Sequence, residues 1–452
     1  MTKIILNNKS INYNIYIWFI YFVSIFLMAI FFSNGIGKIG SIFSGIVDLL
    51  NNGRYGDPKY FLTAAIDIAE NGWITPRNDW IFNLWPPGFA ILESSLIFLF
   101  GKDLPLILFL QILSSILYAS ILLMIFNLFK EKINTFYAFL LPLTIFMLPI
   151  SRDFLLGQIG VSFGETFSIG FFLLFLLFSI KSLKTNLIKY AVYSGFFLGL
   201  SCYFRSYFET LQVFLTIMGI AFVLIIFGYA YFKKIKLLSF KKLLISIATI
   251  LIVSNLLMLP WRVYHQVNQN MIKWVGTADL MFQNQLRTSD SFVGGAEWLL
   301  IGGANTACRV DVDVCNQTED VKKLVIKTWL FNPLEWYRIK FEIIDEYWFA
   351  NRGSWTSPSK IKAPIMNKFA DGLILIFIII SIGYLMINKN KFSKNNLLIA
   401  WIYLSLLLSY AAIYTFAHFE VRYFYFPKIL SIVIFLIIIS ETKLINNKKK
   451  EI

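Results

Sequence analysis

Apolar positions in this chain run in long unbroken blocks instead of recurring every second or every third to fourth residue, and polar residues gather in the gaps between them. A block of about twenty apolar residues, wound as a helix, crosses a hydrocarbon core of roughly 30 Å. The first, "YNIYIWFIYFVSIFLMAIFF" (Tyr13 to Phe32), has that length, and no small-residue cleavage site follows it, so it reads as a retained helix. Further blocks open near Leu104, Phe136, Phe163, Ile188, Tyr207, Leu243, Leu373, Leu397 and Phe424, which gives about ten crossings. "WPPGFAILESSLIFLFG" (Trp85 to Gly101) departs from the pattern: it is apolar but short, has two prolines after its tryptophan and contains Glu93.

Charge decides whether that short block spans. If it does not, the clusters at Lys130 and Lys132, Lys181 to Lys189, Lys233 to Lys242 and Lys389 to Lys394 fall on one side with both termini, and the positive-inside rule makes that side the cytoplasm. If it does, every later loop inverts and the lysines face outward. Trp85 to Gly101 is therefore expected to lie in or dip into the outer interface, and residues 33–103 become an outer loop with helices along the membrane surface.

Composition agrees with the pattern. The chain is 58% hydrophobic and 15% charged, with a mean hydropathy of +0.67, more apolar surface than one water-soluble core hides. The fold class expected is an all-α polytopic membrane protein. In the expected topology the cytoplasmic basic residues are all lysines, whereas Arg54, Arg77, Arg152, Arg205, Arg262, Arg287, Arg309, Arg338, Arg352 and Arg422 all fall outside. A planar, permanently charged guanidinium matches phosphate and carboxylate oxygens, so this sorting points to anion handling on the outer face, with ordinary surface ion pairing as the simpler reading. The net charge of +15 fits contact with anionic membrane lipids. No basic-aromatic module for nucleic acid is present.

A second long outer segment, from Trp261 to about Asp371, is polar enough to form a small domain. Its "ACRVDVDVC" places Cys308 and Cys315 close enough for a disulfide in an oxidising compartment. Zinc is disfavoured, because two cysteines make no site and His265 and His418 are the only histidines. The domain division expected is a membrane module over 1–262 containing the loop 33–103, an outer domain over 263–366, and C-terminal membrane helices over 367–452.

"GDPKYFLTAAIDIAENG" followed by "WPPGFAILESSLIFLFG" resembles the first outer loop of the GT-C superfamily of integral-membrane glycosyltransferases, in the branch of the protein O-mannosyltransferases and lipid A aminoarabinose transferases. That pattern is an aspartate, a tyrosine three residues on, a surface helix, a glycine and a Pro-Pro helix. "GET" (Gly164 to Thr166), "GLSCYFRSYFE" around Arg205, "LPWRVYH" around Arg262 and "EVRYFYFP" around Arg422 extend the likeness over most of residues 1–262 and the closing helices.

The resemblance implies a GT-C fold in a bacterial inner membrane with its site facing the periplasm or exterior. It implies a polyprenyl-phosphate-linked sugar as donor, an extracytoplasmic glycan, lipid or protein as acceptor, and inversion at the sugar. Asp57 maps onto the family's aspartate and is the expected base, with Asp153 and Glu165 as further catalytic candidates. Tyr60, Trp85, Arg205, Arg262, His418 and Arg422 are the expected substrate-binding residues. The family often shows a second acidic residue beside the first. Here Gly56 precedes Asp57 and Pro58 follows it, so no metal ligand is assigned and a divalent metal ion stays open as cofactor. Simpler roles exist for each residue: Asp57 before Pro58 as a helix cap, Asp153 and Glu165 as helix-end charges, the arginines as snorkelling anchors, Trp85 as a belt tryptophan and the histidines as interfacial groups. A membrane transporter or flippase of a lipid-linked or anionic substrate is the alternative function.

Overall fold

The computed structural model describes residues 2–30, 43–53, 57–147, 163–232, 240–269, 273–276, 282, 285–286, 305–316, 320–349, 365–387, 394–417 and 421–441. Every element among the described residues is helical. In chain order the principal helices are α1 (Thr2–Met28), α2 (Asp57–Asn71), α3 (Trp80–Leu84), α4 (Gly88–Phe100), α5 (Leu106–Phe129), α6 (Thr135–Met147), α7 (Phe163–Thr185) and α8 (Ile188–Phe204). They continue as α9 (Ser206–Phe232), α10 (Lys241–Gln269), α11 (Thr306–Val310), α12 (Val321–Phe331), α13 (Pro333–Trp348), α14 (Ile365–Ile387), α15 (Lys394–Phe416) and α16 (Tyr425–Glu441).

Five stretches, Leu106–Phe129, Gly164–Thr185, Ser206–Gly228, Lys241–Asn268 and Leu397–Phe416, are long and apolar enough to cross a membrane. By length and composition the chain is an integral membrane protein. The other five blocks expected to cross coincide with α1, α6, α8, α14 and α16. The apolar parts of α1, α6 and α16 are shorter among the described residues, running Tyr13–Met28, Thr135–Phe146 and Tyr425–Ser440.

By packing the chain divides into two discontinuous units, one of Met1–Arg205, Lys241–Pro260 and Ile432–Ile452, the other of Ser206–Phe240 and Trp261–Ser431. The chain leaves the first unit at Pro260, inside α10, where the missing amide interrupts the helical hydrogen-bond ladder.

In the first unit α1 and α5 run antiparallel: Tyr13 meets Phe126 with ring centroids 6.3 Å apart, and the Trp18 indole donates to Ser120 Oγ at 3.1 Å. Lipid chains are as apolar as leucine, so spanning helices associate through close approach and buried hydroxyls. Ser179 of α7 and Ser194 of α8 lie 2.6 Å apart, and Ser182 of α7 and Ser246 of α10 3.1 Å apart. A Cβ on Gly195 would sit 2.7 Å from the Ile250 carbonyl oxygen, so α8 approaches α10 there to a distance only glycine permits.

In the second unit the indole of Trp401 in α15 donates to the Leu215 carbonyl of α9 at 3.2 Å. Between α10 and α14, α11–α13 pack around Ala307, Val314, Leu324, Val325 and Trp336, with a Cys308–Cys315 disulfide at a Cα–Cα distance of 5.3 Å. This cluster is seated on the C-terminal end of α15: the Trp336 indole donates to Thr415 O at 2.9 Å and Lys340 Nζ to Ala417 O at 2.7 Å.

Candidate functional site

The loop singled out by its aromatics forms a layer in the first unit. α2 ends at Gly72, whose φ of +78° and amide bond to Ile68 O at 2.8 Å stop the helix in a left-handed turn. Asp67 staples the turn that follows, accepting from Thr75 N at 2.6 Å, Thr75 Oγ1 at 2.7 Å and Asn71 Nδ2 at 2.9 Å. Burial pushes its pKa up, but the Thr75 amide and hydroxyl, then Asn78 and Asn71, together hold the carboxyl below its ordinary value. The stapled turn returns the chain so that Tyr60 meets Trp85 in a stacked pair at 6.0 Å and Trp80 edge-on at 4.9 Å.

α4 then presses its first residue against the end of α8. A Cβ on Gly88 would stand 2.5 Å from Tyr203 O, so the glycine after the two prolines is the residue that lets the backbones meet. Phe61 packs on Phe89 at 5.6 Å, and Phe89 on Phe204 at 6.4 Å. The aromatic layer thus leads from Tyr60 to the residue before Arg205.

Arg205 caps the C-terminal end of α8 in extended backbone, and Glu165 lies in the first turn of α7. These helices form an antiparallel pair closed by a tight turn at residues 186–187, so the start of one is beside the end of the other. Arg205 Nη2 and Glu165 Oε1 are 2.8 Å apart, with both side chains almost wholly buried. Each charge also faces the helix end whose dipole favours it. The Arg205 stem passes Gly164, where an added Cβ would lie 3.7 Å from its Cδ.

Of the residues expected from the sequence, Tyr60, Trp85, Glu165 and Arg205 therefore join one packed layer. Tyr60 is 39% exposed, which leaves a ring edge open. Asp57 is the first residue of α2 and Arg422 falls in the turn Val421–Phe424; both are described as backbone only. Asp153 and His418 lie outside the described residues. Glu165, expected as a further catalytic candidate, forms an ion pair with Arg205. Arg309 and Arg338 follow the simpler reading of the arginine sorting, since both pair with Glu342, and Arg338 also with Glu335, on the exposed side of α13.

Arg262 belongs to the second unit, in a cluster that sequence reasoning did not assemble. Its guanidinium donates to Gln212 Oε1 at 3.0 Å and lies over the Trp274 ring, 4.4 Å from its centre. Beside it the fully buried Glu209 accepts from Trp261 Nε1 at 3.1 Å and from Gly276 N at 2.6 Å, and His265 packs edge-on to Trp261 at 4.4 Å. The available signal was an acidic residue in the first turn of one helix and a Trp-Arg pair near the end of another. A third buried pair missed from sequence is Asp371 and Lys428, 2.9 Å apart, with Lys428 Nζ also donating to Trp348 O at 2.6 Å.

Among the described residues no group of three or more His, Cys, Asp or Glu side chains comes together to hold a metal ion. With Glu165 tied to Arg205, the described donors of the aromatic layer do not fit one. No protein-family model, no curated protein and no solved structure matches this chain.

Proposed function

We propose that the chain is an integral-membrane glycosyltransferase of the bacterial inner membrane that moves a sugar from a polyprenyl phosphate to an extracytoplasmic acceptor. The observation that supports this most is that the first-loop helices fold onto a buried, carboxylate-oriented arginine and carry Tyr60 and Trp85 with them. In this reading Asp57 takes the proton of the acceptor hydroxyl as its oxygen bonds to the anomeric carbon. The bond from that carbon to the phosphate oxygen breaks, its electron pair leaves with the polyprenyl phosphate, and the sugar inverts. Arg205 stabilises the departing phosphate; a guanidinium has five N–H donors, so the bond to Glu165 orients it without using it up. Tyr60 and Trp85 offer amphipathic ring faces to sugar and lipid. No step runs through a metal.

The experiment is sugar transfer by the purified chain from polyprenyl-phosphate sugars, guided by mass spectrometry of lipid-linked sugars and envelope glycans with and without the gene. Asp57→Asn keeps the size and capping capacity of the residue but removes the base, so transfer should fall by roughly a hundredfold or more with folding intact. Transfer at the wild-type rate would remove Asp57 from the mechanism.

One observation favours a transporter instead: the buried Asp371–Lys428 pair joins α14 to α16, and ionisable residues inside membrane helices commonly mark transport routes. Movement of a lipid-linked sugar across vesicles without transfer would decide for that reading.

A further inference from the structure

We propose that the turn between α12 and α13 is a membrane-surface anchor that inserts an apolar tip into the lipid interface and holds anionic headgroups with three lysines. This goes beyond glycosyl transfer and does not depend on it.

α12 has two rows at i, i+4, i+8 spacing. Lys322, Ile326 and Leu330 form one, and Lys323, Lys327 and Phe331 the other. Both therefore pass from cationic to apolar towards the turn, and together they border a groove of about 460 Å³. Leu330 is 62%, Phe331 75% and Leu334, just across the turn, 88% exposed. The core side of the helix is satisfied separately by Leu324, Val325 and Thr328.

The lysines stand where helix stability does not want them. Lys322 and Lys323 occupy the first turn, whose dipole disfavours cations. Asp320, also in the groove, is engaged as the helix cap, accepting from the amides of both lysines. An external anion is the partner that suits this placement.

Two features identify that anion as a lipid headgroup. The turn is fastened at the end of a spanning helix, because Trp336 and Lys340 donate to the carbonyls of Thr415 and Ala417 and Trp329 packs on Phe416 at 5.2 Å. This fixes the hairpin at the depth where α15 leaves the membrane. The eight helical steps from Lys323 to Phe331 also span roughly 12 Å, comparable to the depth between headgroup phosphates and the acyl boundary. Of the charged residues of α13, Glu335, Arg338 and Glu342 pair with one another, and Lys340 turns to the Ala417 carbonyl.

The test uses the full chain purified without reductant and reconstituted at low protein-to-lipid ratio into phosphatidylcholine vesicles, with and without phosphatidylglycerol. Phe331→Cys and, as control, Glu342→Cys carry an environment-sensitive fluorophore. Phe331→Cys should be quenched by shallow spin-labelled lipid and protected from aqueous iodide, more so with phosphatidylglycerol, while Glu342→Cys stays open to iodide. Changing Lys322, Lys323 and Lys327 to Gln should lower the docked-to-free ratio in anionic vesicles about fivefold per lysine. Equal iodide access at both positions would overturn the proposal. So would protection that appears only as the protein-to-lipid ratio rises, since the occupant is then a second copy, and so would docking indifferent to phosphatidylglycerol and to the lysines.

Discussion

At the scale of single residues, the pair that matters most for the proposed site is Glu165 with Arg205. Two charges taken out of water gain little over a well-packed apolar pair, but removing one partner strands the other, typically at about 3–5 kcal/mol. Arg205→Met should therefore lower the thermal unfolding temperature of the detergent-solubilised protein sharply, whereas Glu165→Leu with Arg205→Met should recover much of that loss. Donor use should stay impaired in both, which separates the structural contribution of Arg205 from the proposed phosphate contact; purely additive losses would show that the two residues are not coupled. Both residues were legible in the sequence as chemistry-bearing, one opening a helix and one ending a helix. Their contact follows from the tight turn that makes α7 and α8 antiparallel. What the sequence did not disclose was burial: a glutamate at an expected outer helix end reads equally well as exposed, and the covering Phe89 comes from a distant segment, α4. Glu209 was invisible for a related reason, since its partners Trp261 and Gly276 lie 52 and 67 residues away.

At the scale of elements, the α11–α13 cluster tests how a small polar domain is held together. The close cysteine spacing was readable in advance and the disulfide is present. Closing so short a loop stabilises by roughly 2 kcal/mol, so Cys308→Ser with Cys315→Ser should raise hydrogen exchange across Thr306–Trp348 while leaving α5 and α7 protected; alkylation of both thiols in untreated protein would deny the bond. Lys340 was not readable, because its sequence neighbours give α13 a charged face and only tertiary packing turns this lysine inward. Burial, aided by the nearby Arg309, pushes its pKa down to about 7 from 10.5, and its ammonium meets the Ala417 carbonyl. Between these two values the unfolded chain binds a proton that the folded chain lacks, so stability rises as pH climbs through that window and the gain is complete above the unfolded value. Thermal unfolding followed from about pH 7 upward should show this rise in the wild type and a flatter profile in Lys340→Met; parallel profiles would mean that Lys340 stays charged in the fold.

At the scale of the whole molecule, the open question is how many times the chain crosses, and the first unit constrains the answer. The antiparallel packing of α1 on α5 requires an even number of crossings in the segment between them. The same segment is closed at its ends, since the Ile46 amide donates to Lys102 O at 3.1 Å. Among the described residues only α2 and α4 are candidates, so both cross or neither does. They run side by side in the same direction: Tyr60 meets Trp85, Phe61 meets Phe89, and Glu70 at the end of α2 pairs with Lys102 just past the end of α4. α4 has thirteen residues, about 20 Å of helix against a core of roughly 30 Å. α2 carries Lys59, Asp67 and Glu70, and charges at the bilayer centre are expensive by at least about 2.5 kcal/mol each. We propose that neither helix crosses; the lysine clusters are then expected to share the side of both termini, as the positive-inside rule requires. Lys102→Cys in intact cells should accordingly react with a membrane-impermeant thiol reagent from outside, whereas cysteines placed at Lys130 and Lys184 should react only after permeabilisation. Cytoplasm-only labelling at position 102 would mean an odd number of crossings ahead of α5, against the packing of α1 on α5, and would overturn this topology.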